Sequence, residues 1–450
     1  MNNSRKYLLI WTLLLGLVVP AFTQQYNESN DFSYALKLYN EGFYDPAAQQ
    51  FSKFINRYPG SERIADAHFY YGESLLKLQE YEDARIEFQD LAVSFPDHHR
   101  APQGWMKVGE SYELLGKGEE AAKAYETVKI LYPQDALAPQ GLLKAAGIYM
   151  EIDQVNRAEQ ILRDFLNRYL ESSEYPRGRV LYGRLLIKKR EYERAGSEFR
   201  RVAETSSDKQ ILAEARLGEA TVFQQLGLYK RAESTLEEII KSQSGTPQGF
   251  EAVMTLSSVY QDNREWDKAV AVLRQALAKY NLQDQQEQLK LTQVRVLILK
   301  GDYFAARRLL EELKTSGDRK LAQLAVFYQA CCDLEEQRFD AAGTGFQNTL
   351  QSELDSGYQM VALLNLARLH LRQGDFQAAR QYLSQYQAAN SGDPGLEALH
   401  RDLIELAFRN KLLSAGVDEL QRYRGAYPNS LNRDDLIFAA GKAFFRDRQY

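Results

Sequence analysis

The sequence is poor in the residues that usually announce chemistry. Its 450 residues include two cysteines, Cys331 and Cys332, which are adjacent, so disulfides do not staple this fold. Five histidines are scattered along the chain. His98-His99 follows Pro96 and Asp97 in a loop, no Cys/His ligand spacing is present, and the expectation is a solvated pair. There is no Gly-rich phosphate loop, nucleophile elbow or paired-carboxylate motif. Glycine and proline are sparse, at 28 and 11, which leaves no low-complexity stretch. Positive charge is not in excess. The net charge is −5 with both signs interspersed, a poor match to nucleic acid. These absences predict no catalytic residue, cofactor, metal, nucleic acid or small-molecule substrate.

One apolar run stands out. Arg5 and Lys6 precede Leu8 to Val19, and Pro20 breaks the run. Small and polar residues follow, from Ala21 to Gln25. This is the layout of a cleavable secretory signal over residues 1–23, too short to span a bilayer comfortably. No cysteine near its end supports a lipid anchor. The expected mature chain carries 54 basic and 61 acidic groups, begins with a short linker over 24–30, and lies in the periplasm.

What the sequence has is a repeat. An aromatic or apolar residue followed three positions later by a small one recurs at a step of 37. The series runs Tyr44, Tyr81, Gly118, Val155, Tyr192, Tyr229, Trp266 and Tyr303, loses one residue, and resumes at Phe339, Phe376, Leu413 and Tyr450. Seven residues after these anchors stand Phe51, Phe88, Tyr125, Leu162, Phe199, Leu236, Leu273, Leu310, Phe346, Leu383 and Leu420, all large and apolar. Nine residues before them, Gly, Ala or Ser fills every position except Val294 and Ile404. The spacing predicts a helical hairpin of two helices of about 15 residues each. Helix A carries the small column and helix B the large one, so that the two backbones approach closely. Pro59, Pro96, Pro133 and Pro428, each after an aromatic, end helix B. Such hairpins bury their apolar faces only against neighbours, which predicts one continuous array over 31–450. Looser packing is expected near 317–356, where a residue is lost and Gly343 and Gly345 enter helix B. Phe438, Gly441, Phe444 and Phe445 read as helix A of a twelfth hairpin, with the chain cut at Tyr450.

The small residue, the alanine twelve later, the apolar residue four after that and the proline eight further on resemble the tetratricopeptide repeat (TPR) consensus, with 37 residues in place of 34. The resemblance implies an all-α, right-handed superhelical solenoid of about eleven hairpins plus one terminal helix. Residues 34–133 carry Tyr58-Pro59-Gly60-Ser61, Ala65-Asp66-Ala67-His68-Phe69-Tyr70-Tyr71-Gly72-Glu73, Phe95-Pro96, Lys107-Val108-Gly109 and Tyr132-Pro133. They resemble the periplasmic TPR domains of the CpoB (YbgF) type and, less closely, BamD. That likeness implies a non-catalytic cell-envelope scaffold whose partners are other envelope proteins or peptides, with outer-membrane association through a partner. The alternative is the scaffold part of a longer exopolysaccharide-export or peptidoglycan-processing protein.

In that family helix A lines the concave face. By the resemblance, Phe69, Met106, Leu143 and Met150 form an apolar inner stripe, beside Glu73 and Glu110 early and Arg177, Arg184, Arg295, Arg368 and Arg372 later. Such a groove suits an amphipathic helix or an extended apolar peptide. Glu73 and Glu110 each stand in a Gly-Glu-Ser triplet, but their 37-residue separation marks repeat consensus and not a catalytic acid. Cys332 stands in an aliphatic column and is read as a buried thiol packing as a small hydrophobe.

Overall fold

The computed structural model describes residues 27–393 and 395–446. The proposed signal segment, residues 24–26 of the short linker and Tyr450 lie outside the described residues, and the expected linker to residue 30 is corrected by α1, which begins at Glu28. Among those residues the chain is all helix, in two compact units divided after Ile211. The first unit holds five hairpins: α1 (Glu28–Asn40) with α2 (Tyr44–Arg57), α3 (Ile64–Lys77) with α4 (Tyr81–Ser94), α5 (Ala101–Leu114) with α6 (Gly118–Leu131), α7 (Leu137–Glu151) with α8 (Val155–Arg168), and α9 (Tyr175–Lys188) with α10 (Tyr192–Thr205). The division falls within α11 (Lys209–Gln225), which pairs with α12 (Tyr229–Ser242). The second unit continues with α13 (Pro247–Asp262) and α14 (Trp266–Leu277), α15 (Gln283–Lys300) and α16 (Tyr303–Leu313), α17 (Arg319–Glu335) and α18 (Phe339–Leu350), α19 (Ser356–Gln373) and α20 (Phe376–Ala389), α21 (Leu396–Arg409) and α22 (Leu413–Ala426), and α23 (Arg433–Arg446). Eleven hairpins and one further helix match the repeat count.

The two sequence columns meet inside each hairpin. A Cβ added to Gly72 would lie 2.8 Å from the Phe88 ring, one on Gly109 2.6 Å from Tyr125, and one on Gly183 2.6 Å from Phe199. These glycines exist because a ring occupies the space a methyl would need. All eleven residues of the large column are buried.

A second seam joins successive hairpins. Three residues beyond the large column stand Phe54, Leu91, Val128 and Phe165 in the first unit and Ile239, Leu313 and Tyr423 in the second, all buried. Leu91 packs where a Cβ on Gly104 of the next helix A would fall, 2.6 Å away, and Phe165 does the same at Gly178. Polar bonds reinforce the seam: the Tyr132 hydroxyl donates to the Pro96 carbonyl at 3.0 Å, and Tyr169 to that of Pro133 at 3.4 Å.

Each hairpin turns through a residue in the left-handed region, always two before the anchor. Gly42, Gly116, Gly227, Gly301 and Gly374 take it without strain, while Gln79, Asp153, Arg190, Arg264, Gln337 and Lys411 hold it against the usual steric preference. The segment near 317–356 differs from the expected loosening. Gly345 presses on Ala330, where an added Cβ would fall 2.6 Å from the alanine methyl. The step that loses a residue, from Tyr303 to Phe339, contains the 11-residue α16.

Candidate partner-binding face

The repeat places the residues twelve, eight and five before each anchor on helix A, and the structure treats them unequally. Phe69 offers no surface: it is 5% exposed, packed edge-on against Phe88 and Tyr70, with the Arg100 guanidinium 4.5 Å from its ring centre. This corrects its place in the inner stripe, because a ring beside Gly72 is drawn into the hairpin core. Met106, Leu143 and Met150 are half-buried and keep an accessible side. Met106 also lies under Gly141, its sulfur 3.4 Å from where a Cβ there would stand.

The acidic residues of the first unit are already engaged. Lys107 Nζ lies 2.7 Å from Glu73 and 2.9 Å from Glu110, and Tyr39 donates to Glu73. Burial pulls the Lys107 pKa down, but its hydrogen bonds to the two carboxylates outweigh that and leave it raised. This bridge spans α3 and α5, joining neighbouring repeats. Arg177 is likewise paired, 3.2 Å from Glu174.

The remaining arginines are different. Arg184, Arg295, Arg368 and Arg372 are exposed and make no hydrogen bond or ion pair among the described residues. Arg184 lies on α9, Arg295 on α15, and Arg368 and Arg372 one turn apart on α19. A guanidinium presents five donors in a planar fork that matches a carboxylate. Half-buried apolar side chains and Arg184 thus stand on A helices of the first unit, and Arg295, Arg368 and Arg372 on A helices of the second.

The cysteines lie on α17. Cys332 is fully buried and Cys331 partly so, both free. Burial pushes the Cys331 thiol up to about 12 and that of Cys332 up to about 11, so neither is an activated nucleophile.

Sequence spacing did not connect Asp66 with the His98-His99 loop. One ligand atom from each of the three lies within 4.8 Å of the others. A turn and an ion pair account for the arrangement. His98 Nδ1 accepts the Arg100 backbone N–H at 3.3 Å, the service that Ser61, Asp135 and Ser172 perform at the same repeat position. Asp66 accepts from Arg100 Nε at 2.5 Å. Burial, then neighbouring His99, lowers the His98 pKa.

Comparison with known proteins bears on the repeat alone. Tetratricopeptide repeat profiles match residues 35–99, 217–284 and 364–430, and a further one matches 103–135. A tetratricopeptide repeat-like domain profile matches 305–392. No curated protein matches the sequence. Among solved structures, a tetratricopeptide repeat protein from Parabacteroides merdae ATCC 43184 is similar at 15% identity and a TM-score of 0.46, over 60% of this chain and 98% of that one. A chain of the APC/C hetero-tetramer Cut9-Hcn1 is similar at 12% identity and 0.37, over 92% and 96%. The human IFIT1 dimer with m7Gppp-AAAA is similar at 18% identity and 0.37, over 82% and 86%. With its columns, its helix count and profiles matched along both units, the chain belongs to the tetratricopeptide-repeat proteins.

Proposed function

We propose that this protein is a non-catalytic periplasmic scaffold that holds acidic, partly apolar segments of other envelope proteins against its A helices. Tetratricopeptide repeats typically mediate protein–protein interactions as scaffolds, and their fold is generally non-catalytic. The observation that carries the reading is the set of exposed arginines without internal partners, Arg184, Arg295, Arg368 and Arg372, on the same repeat element as the half-buried Met106, Leu143 and Met150. A protein of net negative charge that leaves guanidiniums unspent on one element is suited to a carboxylate-bearing partner. Export rests on Arg5, Lys6 and the apolar run to Val19, and the envelope role on the likeness of residues 34–133 to CpoB-type and BamD-type domains.

Two measurements test this. N-terminal sequencing of protein from the periplasmic fraction should read from Gln24 or Phe22; an intact Met1 on cytoplasmic protein would contradict export. Arg368→Glu with Arg372→Glu should abolish capture of the envelope partner while helicity and melting stay nearly unchanged, since neither side chain makes a hydrogen bond or ion pair among the described residues and Arg368 acts on Asp393 only through its charge. Undiminished capture would remove α19 from the site.

A further inference from the structure

Gln293 is a buried amide with no internal partner. It sits on α15 at 5% exposure, and its Oε1 is sealed from solvent without a hydrogen bond. A buried acceptor left unmade costs about 1–3 kcal/mol, so such a group calls for an explanation. It lines a cavity of about 470 Å³ walled by α14 and α16 on either side of α15. Val270, Leu277, Leu297 and Leu309 supply its apolar surface. Arg274 on α14 and Arg308 on α16 complete the lining.

The charges of this cavity divide into spent and unspent. Lys300 is 2.6 Å from Asp267, Glu312 is 2.7 Å from Lys290, and Asp302 accepts the Ala305 backbone N–H at the start of α16. Arg274 and Arg308 are exposed and make no hydrogen bond or ion pair among the described residues. The three carboxylates are therefore committed, and the two guanidiniums are not. A multiply charged phosphate would meet those three fixed carboxylates at close range. A single carboxylate beside apolar atoms would meet two free guanidiniums, a leucine and valine surface, and an amide at the base.

We propose that this cavity is a second binding site, which takes a short segment of a partner protein carrying an aspartate or glutamate next to an aliphatic residue. Arg274 and Arg308 hold the carboxylate, and the Gln293 amide bonds to the segment. The proposal rests on the reading of the chain as a protein-binding scaffold. It assigns that role to the groove between two B helices, with none of the A-helix residues named above.

The test uses the full chain and a fluorescein-labelled peptide alternating leucine and glutamate, with a leucine–glutamine peptide as its neutral counterpart. Fluorescence anisotropy should show the glutamate peptide binding at least about tenfold tighter than the glutamine peptide, the difference expected for one charge-assisted contact. Arg274→Ala and Arg308→Ala should each weaken it by about tenfold without moving the melting temperature. Gln293→Leu should weaken binding while raising the melting temperature, because it removes the unmade bond. Equal affinity for the two peptides, no binding by the native chain, or variants that bind as the native chain does would each overturn the proposal. Competition by inorganic phosphate at concentrations where acetate does not compete would identify a phosphate site instead, and would equally overturn it. The Arg368→Glu/Arg372→Glu variant should bind this peptide normally, so failure here and failure of the A-helix reading are separable.

Discussion

The two units hold the same hairpin at the same step by different means. In the first, the small column is Ala35, Gly72, Gly109, Ala146 and Gly183, and aromatic rings face every glycine. In the second it is Ala220, Ser257, Val294, Ala330, Ala367 and Ile404, and leucine is the facing residue at all but Phe346. The largest small-column residues, Val294 and Ile404, stand opposite Leu310 and Leu420. Within the eleven hairpins a column glycine always faces a ring, whereas leucine faces alanine, serine, valine and isoleucine alike. The helices differ as well: those of the first unit run 13 to 15 residues, whereas α15 and α19 reach 18 and α16 contracts to 11. Electrostatics follow the division only in part. Lys107 bridges Glu73 on α3 and Glu110 on α5, while Arg184 of the first unit and Arg274, Arg295, Arg308, Arg368 and Arg372 of the second make no hydrogen bond or ion pair among the described residues. A fixed period therefore keeps a small residue against a large one in most hairpins while helix lengths and surfaces vary.

The most forceful way to break this comparison is Gly109→Leu, which drives a branched side chain into the Tyr125 ring and should cost about 1–3 kcal/mol or more. Gly147, also in a helix A, has open space around it, and Gly147→Ala should instead gain about 0.5–1 kcal/mol. Thermal melts that moved the same way for both would refute the column assignment.

Volume matching is sharpened by a double-mutant cycle. Gly72→Val and Phe88→Leu should each destabilise, and together recover a coupling of about 1–2 kcal/mol. In the second unit, Val294→Gly with Leu310→Phe should recover a similar amount from the opposite direction. Strict additivity in denaturant titrations would show that the columns do not compensate.

The turns give a smaller effect shared by both units. Gly301→Ala should lose about 1–2 kcal/mol because its φ is +84°, whereas Arg264→Gly, already left-handed, should be neutral or slightly stabilising. Equal losses would contradict the turn geometry.

Acid sensitivity separates a single carboxylate. A hydrogen bond from Lys230, then those from Lys268 and Tyr260, outweigh burial and hold the Glu233 carboxyl down at about 2. A depressed carboxyl contributes stability that is complete above its ordinary pKa near 4.5 and is lost as pH falls towards 2. Glu233→Gln should flatten that limb of the stability profile and leave the neutral-to-alkaline side parallel to the native curve. The smallest expected signal is chemical: Cys331 and Cys332 should resist alkylation at pH 8 in the folded protein and react on unfolding, given their raised thiol pKa values.

Much of this was legible in the sequence because packing inside a hairpin imposes side-chain size at fixed spacing. The small and large columns gave helix identity, hairpin count and the partners of Gly72, Gly109 and Gly183. The seam column through Leu91 and Phe165 has the same regularity and was overlooked, since its partners, Gly104 and Gly178, belong to the following repeat. The left-handed column hid behind six non-glycine residues. Periodicity placed Phe69 and Met106 at equivalent positions, yet Phe69 is core, packed edge-on against Phe88 and Tyr70, while Met106 is half-buried. Charge pairing was the least legible. Nothing in the order of residues says that Lys107 occupies Glu73 and Glu110, or that Arg274 and Arg308 are left over.

The central claim is that unspent arginines on the A helices, and not the bridged acids, meet the partner. Photo-cross-linkers placed in the intact cell at Arg184, Arg295 and Arg368, with Glu73 and the exposed B-helix residue Lys123 as comparison positions, test it most directly. The account predicts adducts from the three arginine positions, joined to partner peptides rich in aspartate or glutamate, and none from Glu73 or Lys123. Adducts from Glu73 or Lys123 with silence at the arginines would contradict it.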